Sequence, residues 1–123
     1  MSAALTGAEP QLFVADIMAS CRFFAEKLGF EVVFTYGTPP YYAQVRRDAV
    51  RLNLRHVDAP VMDPGRRDAE EWLAATVTVS DPDALFADFA AAGADFARGL
   101  GTEPWGARAF IVVVAPQRAK GCT

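Results

Sequence analysis

Hydrophobic positions along this chain follow two periods, and the order in which they follow them repeats. Ile17, Cys21, Phe24 and Leu28 recur at spacings of four, three and four, which makes one apolar face of an α-helix. Asp16 stands before this run and Gly29 after it. An aspartate in that place accepts hydrogen bonds from the free N–H groups of the first turn, and a glycine suits the left-handed residue past a helix end. A helix is therefore predicted over 17–28. A second is predicted over 82–92. Asp81 would cap it, and Pro82 would take the first helical position, where its missing N–H costs nothing. Leu85, Phe89 and Ala92 would form the buried face and Gly93 the stop.

Between the helices the period shifts to two or the run becomes continuously apolar. Phe30 to Tyr36 and Tyr41 to Arg47 are β-branched and aromatic, separated by the turn Thr38-Pro39-Pro40. After a hairpin turn at Arg47-Asp48-Ala49, Val50, Leu52 and Leu54 alternate with Arg51, Asn53 and Arg55. That alternation predicts a half-buried strand with one polar face. Residues 58–70 read as a polar linker. Ala75 to Val79 reads as a strand, and the apolar run Ala109 to Ala115 as one covered on both faces. Val14-Ala15-Asp16 leads into the first helical segment, and Val79-Ser80-Asp81 leads into the second. Two βα units of like design thus lie about 65 residues apart. The predicted order is βαβββ, linker, βα, then at least two strands: an α+β domain built of two similar halves.

Composition narrows the class. The 123 residues suit one domain, here 1–123, with a first module over about 10–57, a linker over 58–72 and a second module over about 73–116. Apolar residues make up 52%, charged residues 22%, and the formal charge is −3. The arginines Arg46, Arg47, Arg51 and Arg55 read as a solvated strand face rather than a basic stripe, so no nucleic-acid partner is expected. Cys21 and Cys122 do not make a disulfide framework, which points to a reducing, cytoplasmic setting. No charged and apolar leader opens the sequence, and no run approaches about 18 apolar residues, so no membrane partner is expected.

Catalytic chemistry finds few candidates. His56 is the single histidine and reads as a polar strand-end residue. Divalent catalytic sites usually take three protein ligands of the His/Asp/Glu/Cys kind. Glu9 reads as a surface acid. Ser20 has no evident base, and Cys21 belongs to an apolar helix face. Gly99-Leu100-Gly101 lacks the following helix of a dinucleotide site. No catalytic residue, metal or cofactor is expected. Aromatic residues remain: Phe34, Tyr36, Tyr41, Tyr42, Trp72 and Trp105 all fall outside the helices. Such rings stack on planar ligands, with Tyr and Trp keeping a polar handle; Phe34 reads equally well as a core or dimer-seam residue.

Several segments together resemble a known superfamily. They are Phe13-Val14-Ala15-Asp16 with Ser20, Phe23-Phe24 and Leu28-Gly29-Phe30; Val45-Arg46-Arg47-Asp48 before Val50, Leu52 and Leu54; Asp81-Pro82-Asp83-Ala84-Leu85 with Ala92-Gly93-Ala94; and Pro104-Trp105-Gly106-Ala107-Arg108-Ala109-Phe110. In order and spacing this is similar to the vicinal oxygen chelate proteins, the glyoxalase/bleomycin-resistance/dioxygenase superfamily. The resemblance implies two βαβββ modules whose curved sheets surround a cleft, and commonly a homodimer. It also implies either a metal enzyme or a metal-free drug-binding protein, and a fold alone does not choose between them.

The ligand positions of the superfamily's enzymes fall on Glu9, near Leu52, near Ala75 and on a last strand absent from the pattern. Two of those residues cannot ligate. By resemblance to the drug-binding members, Tyr42 and Trp105 match aromatic crevice positions, and Phe34, Asn53 and Arg55 match crevice walls. Arg108 offers a further polar contact. A fifth-strand crevice tryptophan is replaced by Thr76, and Trp72 is out of register with it. After Val114 the sequence departs from the usual turn and last strand, so the second module is expected to end in an atypical or truncated strand. The expected function is metal-free sequestration of a bulky aromatic natural product or antibiotic, conferring self-resistance. The alternatives are a divalent-metal-dependent glyoxalase- or dioxygenase-like enzyme acting on a small oxygenated substrate, and a structural dimer without a small ligand.

Overall fold

Helix α1 (Ile17–Leu28) has the limits that its caps predict: Asp16 Oδ1 accepts from the Ala19 N–H at 3.0 Å, and Gly29 is left-handed at φ 73°. The structure, a computed structural model, describes residues 3–70 and 73–114. Around α1 lie β1 (Gln11–Val14), β2 (Glu31–Tyr36), β3 (Tyr42–Arg47) and β4 (Val50–His56). They form a four-stranded sheet in the order β1-β4-β3-β2, with β1 parallel to β4 and the other pairs antiparallel. The second half contains α3 (Pro82–Ala91), β5 (Asp95–Thr102) and β6 (Arg108–Val113), the two strands pairing antiparallel. Asp81 Oδ1 caps α3 through the Ala84 N–H at 3.1 Å, and Gly93 follows at φ 88°. The α+β class and the order of the first module match the sequence reading.

One face of the first sheet is covered by α1 and the other is not. Ile17, Cys21, Phe24 and Leu28 all turn inward. They meet Leu12 and Val14 of β1, Ala43 and Val45 of β3, and Leu52 and Leu54 of β4 in one buried cluster. The alternation read at 50–55 is therefore real, with the leucines beneath the helix and Arg51, Asn53 and Arg55 on the open side. In the second half Phe89 is the one buried hydrophobic side chain among the described residues, while Leu85, Phe96, Phe110 and Val112 pack partly against the same cluster.

Three expectations change. Residues 75–79 form no strand among the described residues. The internal repeat explains why. In the first module β1 pairs with β4, and a shift of about 65 residues puts the counterpart of β4 beyond residue 114, outside the described residues. The expected last strand, Cys122 and Trp72 also lie outside them. The run 109–113 is half-buried rather than covered on both faces, because β6 is paired with β5 alone among the described strands. The linker holds a short helix, α2 (Pro64–Glu70), with no buried residue. Asp63 starts it, its Oδ1 accepting from Gly65 N–H at 2.9 Å, and Arg66 reaches Glu70 one turn on. Such an i,i+4 pair on an exposed helix is worth only a few tenths of a kcal/mol.

The core has one polar intruder. Ser20 is fully buried on α1, and its Oγ has no hydrogen-bond partner among the described residues. A buried hydroxyl without a partner costs about 1–3 kcal/mol relative to water. Ser20→Ala removes that cost and favours the helix, while the space left is a single oxygen. We expect it to stabilise the fold by about 1 kcal/mol, read as an upward shift of the urea midpoint with unchanged m-value.

Candidate functional site

The open face of the first sheet is ordered in rows, because cross-strand partners share a side. In the first row Arg55 lies between Phe13 of β1 and Tyr42 of β3, and Tyr42 is followed by Tyr36 of β2. In the second, Asn53 lies between Gln11 and Gln44, and Gln44 is followed by Phe34. In the third, Arg51 faces Arg46, which faces Glu31. Successive rows are about 6.8 Å apart along the strands. Four of the six residues singled out in the sequence, Phe34, Tyr42, Asn53 and Arg55, thus share one surface. Phe34 and Tyr42 touch at 6.0 Å between ring centroids. Tyr36 packs edge-on against Tyr41 at 5.7 Å, and the Arg55 guanidinium lies 5.8 Å from the Tyr41 ring centroid. Phe13, Phe34, Tyr36 and Tyr41 are between 39% and 64% exposed. Large rings left this open in a small domain mark a contact surface.

The middle row is tied up internally. Gln44, only 8% exposed, donates from Nε2 to Asn53 Oδ1 at 2.9 Å and to Glu9 Oε1 at 3.2 Å. Its Oε1 accepts from Arg51 Nη1 at 2.9 Å. Asn53 Nδ2 reaches Glu9 at 3.4 Å. Asn53 therefore acts first as part of a fixed amide network. Neither Gln44 nor Arg51 was a candidate from sequence, although alternation from Tyr42 already places Gln44 on Tyr42's side. A surface hollow of about 500 Å³ adjoins this network, lined by Gly7, Glu9, Ala49, Arg51 and Asn53 among others.

Trp105 and Arg108 sit elsewhere, on the second module. Trp105 is 76% exposed in the β5–β6 turn. That turn is held by Glu103, whose buried carboxylate takes a hydrogen bond from Arg98 Nη1 and whose backbone pairs with Ala107. Arg108 turns to Asp83 Oδ1 at 2.9 Å and to Thr102 Oγ1 at 3.3 Å. Among the described residues, no hydrogen bond, ion pair or ring contact joins either one to the four residues of the open face.

The donor set of the described residues does not fit a metal. Among the described residues no three His, Cys, Asp or Glu side chains converge. Leu52, the fourth-strand ligand position by resemblance, points under the helix and is 5% exposed. Its open-side neighbours are Arg51 and Asn53, one of them a cation that repels a metal ion. Ala75 lies outside any strand among the described residues, and Glu9 is engaged by the side-chain amides of Gln44 and Asn53. His56 is built into the fold, with Nδ1 2.9 Å from the Ala15 carbonyl and Nε2 2.9 Å from Asp58 Oδ1. It ties the end of β4 to the end of β1. The Cys21 thiol is pushed up by burial, against a smaller lowering by Arg22, so it is a poor nucleophile. Among the described residues no helix is long and apolar enough to cross a membrane.

Comparison with known proteins agrees with the fold. A family model described as the Glyoxalase/Bleomycin resistance protein/Dioxygenase superfamily matches residues 6–118. No curated protein matches in sequence. Among solved structures, the chain is similar to a bleomycin-binding protein from bleomycin-producing Streptomyces verticillus, complexed with copper(II)-bleomycin. Identity is 27%, the TM-score is 0.67, and 90% of this chain and 88% of that one are covered. It shares its fold with a bleomycin resistance determinant encoded on the transposon Tn5, at 17% identity, a TM-score of 0.70 and coverage of 89% and 88%. It also shares its fold with TioX from Micromonospora sp. ML1, at 22% identity, a TM-score of 0.58 and coverage of 86% and 89%.

Proposed function

Because the chain belongs to the glyoxalase/bleomycin resistance protein/dioxygenase superfamily, we propose that it is a metal-free binding protein that sequesters a bulky aromatic natural product, conferring self-resistance. The observation that carries this reading is the aromatic row of the open face, in which Tyr36 and Phe13 are exposed and Tyr42 between them is half-buried, with exposed Phe34 beside it. Rings held at strand spacing on a rigid sheet form a wall on which a planar ligand stacks, and burying both surfaces provides the affinity. The likeness to a protein crystallised with copper(II)-bleomycin supports a ligand of natural-product size. Capture needs no turnover, only affinity: a nanomolar Kd corresponds to about −12 kcal/mol.

The wall in one chain has Trp105 and Arg108 on a separate module. A homodimer that brings the Trp105 turn of one protomer toward the open face of its partner would supply the opposite side, so the functional unit is proposed to be the dimer. The test is a calorimetric titration of the purified protein against polycyclic quinones and bleomycin-type glycopeptides, with and without chelator. At least one compound should bind more tightly than about 10 μM, a free energy of roughly −7 kcal/mol, at a fixed stoichiometry indifferent to chelation. Failure of every compound, or binding that vanishes with chelator, would refute the proposal.

A further inference from the structure

Resting on the ligand reading above, we infer that the open face selects a planar aromatic acid, with Arg55 as the counter-ion for its carboxylate. The three arginines of this face are in different situations. Arg46 is ion-paired with Glu31. Arg51 donates to Gln44 and borders the amide network. Arg55 is exposed, and its one described partner is the Tyr41 ring. Among the described residues no carboxylate lies within ion-pair distance of it. Other arginines of the chain show what a structural role looks like here. Arg47 donates to the Leu28 carbonyl at the end of α1, and Arg108 and Arg98 each hold a carboxylate.

Arg55 also stands in the right row. It lies between Phe13 and Tyr42, the rings on which the ligand stacks. A ring system on Tyr42 thus brings an edge substituent to the guanidinium. The planar fork of arginine offers two parallel N–H groups to a carboxylate, a geometry an amide substituent cannot match. The competing carboxylates are accounted for. Glu31 is held by Arg46, and Glu9 is bonded by the amides of Gln44 and Asn53, with Glu31 about 13 Å along the strands from the Arg55 row. The preference is local. The chain as a whole carries a formal charge of −3 and gives no general attraction to anions.

A matched pair of probes tests this: anthraquinone-2-carboxylate and anthraquinone-2-carboxamide, which share the ring system and differ in charge. Calorimetric titration of the wild type should find the carboxylate bound about tenfold more tightly, the usual scale of one partly exposed charge-assisted pair. Arg55→Gln should bring the two within about twofold by weakening the carboxylate alone, and Arg55→Lys should restore part of the difference. Raising sodium chloride from 50 to 500 mM on the wild type, which screens an exposed pair, should weaken the carboxylate and leave the carboxamide unchanged. Equal binding of the two probes, or a preference that survives Arg55→Gln, overturns the assignment while leaving aromatic capture intact. Binding of neither probe also overturns the assignment, and the capture reading then stands or falls on the wider titration of quinones and glycopeptides.

Discussion

Tyr42→Ala is expected to weaken an aromatic ligand of this protein by about 2 kcal/mol, roughly 30-fold, the scale of a central aromatic anchor in an interface. Tyr42 is the residue on which the open face converges. It contacts Phe34, faces Arg55 on one side and Tyr36 on the other, and is the aromatic of the row nearest the sheet's centre. Tyr36 belongs to the edge strand β2, and Phe13 to the opposite edge. Truncation at the centre removes the surface against which a ring would stack and leaves a gap between the other rings. Tyr42→Phe keeps the ring and should bind within about threefold of the wild type, since stacking and not the hydroxyl does the work. Calorimetry with whichever quinone or glycopeptide binds the wild type reads both variants. If Tyr42→Ala binds as well as wild type, the aromatic wall is not the site.

What the sequence revealed and what it hid follow from the range of each interaction. Helix α1 was legible to the residue because its signals are local: a capping Asp16, an apolar face at helical spacing, and Gly29. The alternation of Leu52 and Leu54 with Arg51, Asn53 and Arg55 likewise assigned the two faces of β4 without any knowledge of its neighbours. Segment 75–79 carries the same local signals of a strand, yet a strand exists only with a ladder partner, and none pairs with it among the described residues. Helix α2 escapes the sequence reading because its seven residues, four of them charged, carry no apolar period, only an Asp-Pro start. The network of Glu9, Gln44, Arg51 and Asn53 depends on strand register, which no single segment encodes.

The site shows the same division. Phe34, Tyr42, Asn53 and Arg55 were selected by resemblance, and register then placed them together on one face. Resemblance also puts a ligand position near Leu52, and the alternation of β4 already turns that residue under α1. The open face is the proposed ligand surface, and its order follows from the pairing of β1, β4, β3 and β2 rather than from any motif: an aromatic row with Arg55, which has no ion pair among the described residues, then an amide row, then an ionic row. Asn53 is legible as a polar wall residue, but its part in holding Gln44 and Glu9 is not.

Phe24→Ala is expected to cost about 3–5 kcal/mol of folding free energy, a large share of the 5–15 kcal/mol that holds a typical domain together. Phe24 is 2% exposed and lies where α1 meets the sheet. Its ring packs edge-to-face on Phe23 at 5.7 Å and on Phe30 at 5.3 Å. Its backbone carbonyl also accepts the N–H groups of Gly29 and Phe30 that close the helix. The side chain is thus surrounded by elements that cannot all move inward at once: a helix turn, the start of β2 and the strands beneath. A cavity left there stays open, which puts the cost at the upper end for such truncations. For a domain of this size the melting temperature should fall by about 15–25 °C. Thermal unfolding followed by circular dichroism, beside Ser20→Ala on the same helix, gives the comparison. The two substitutions should shift the transition in opposite directions. A Phe24→Ala loss below about 1.5 kcal/mol would mean that the core has collapsed around the gap, and that α1 is not the rigid support the open face requires.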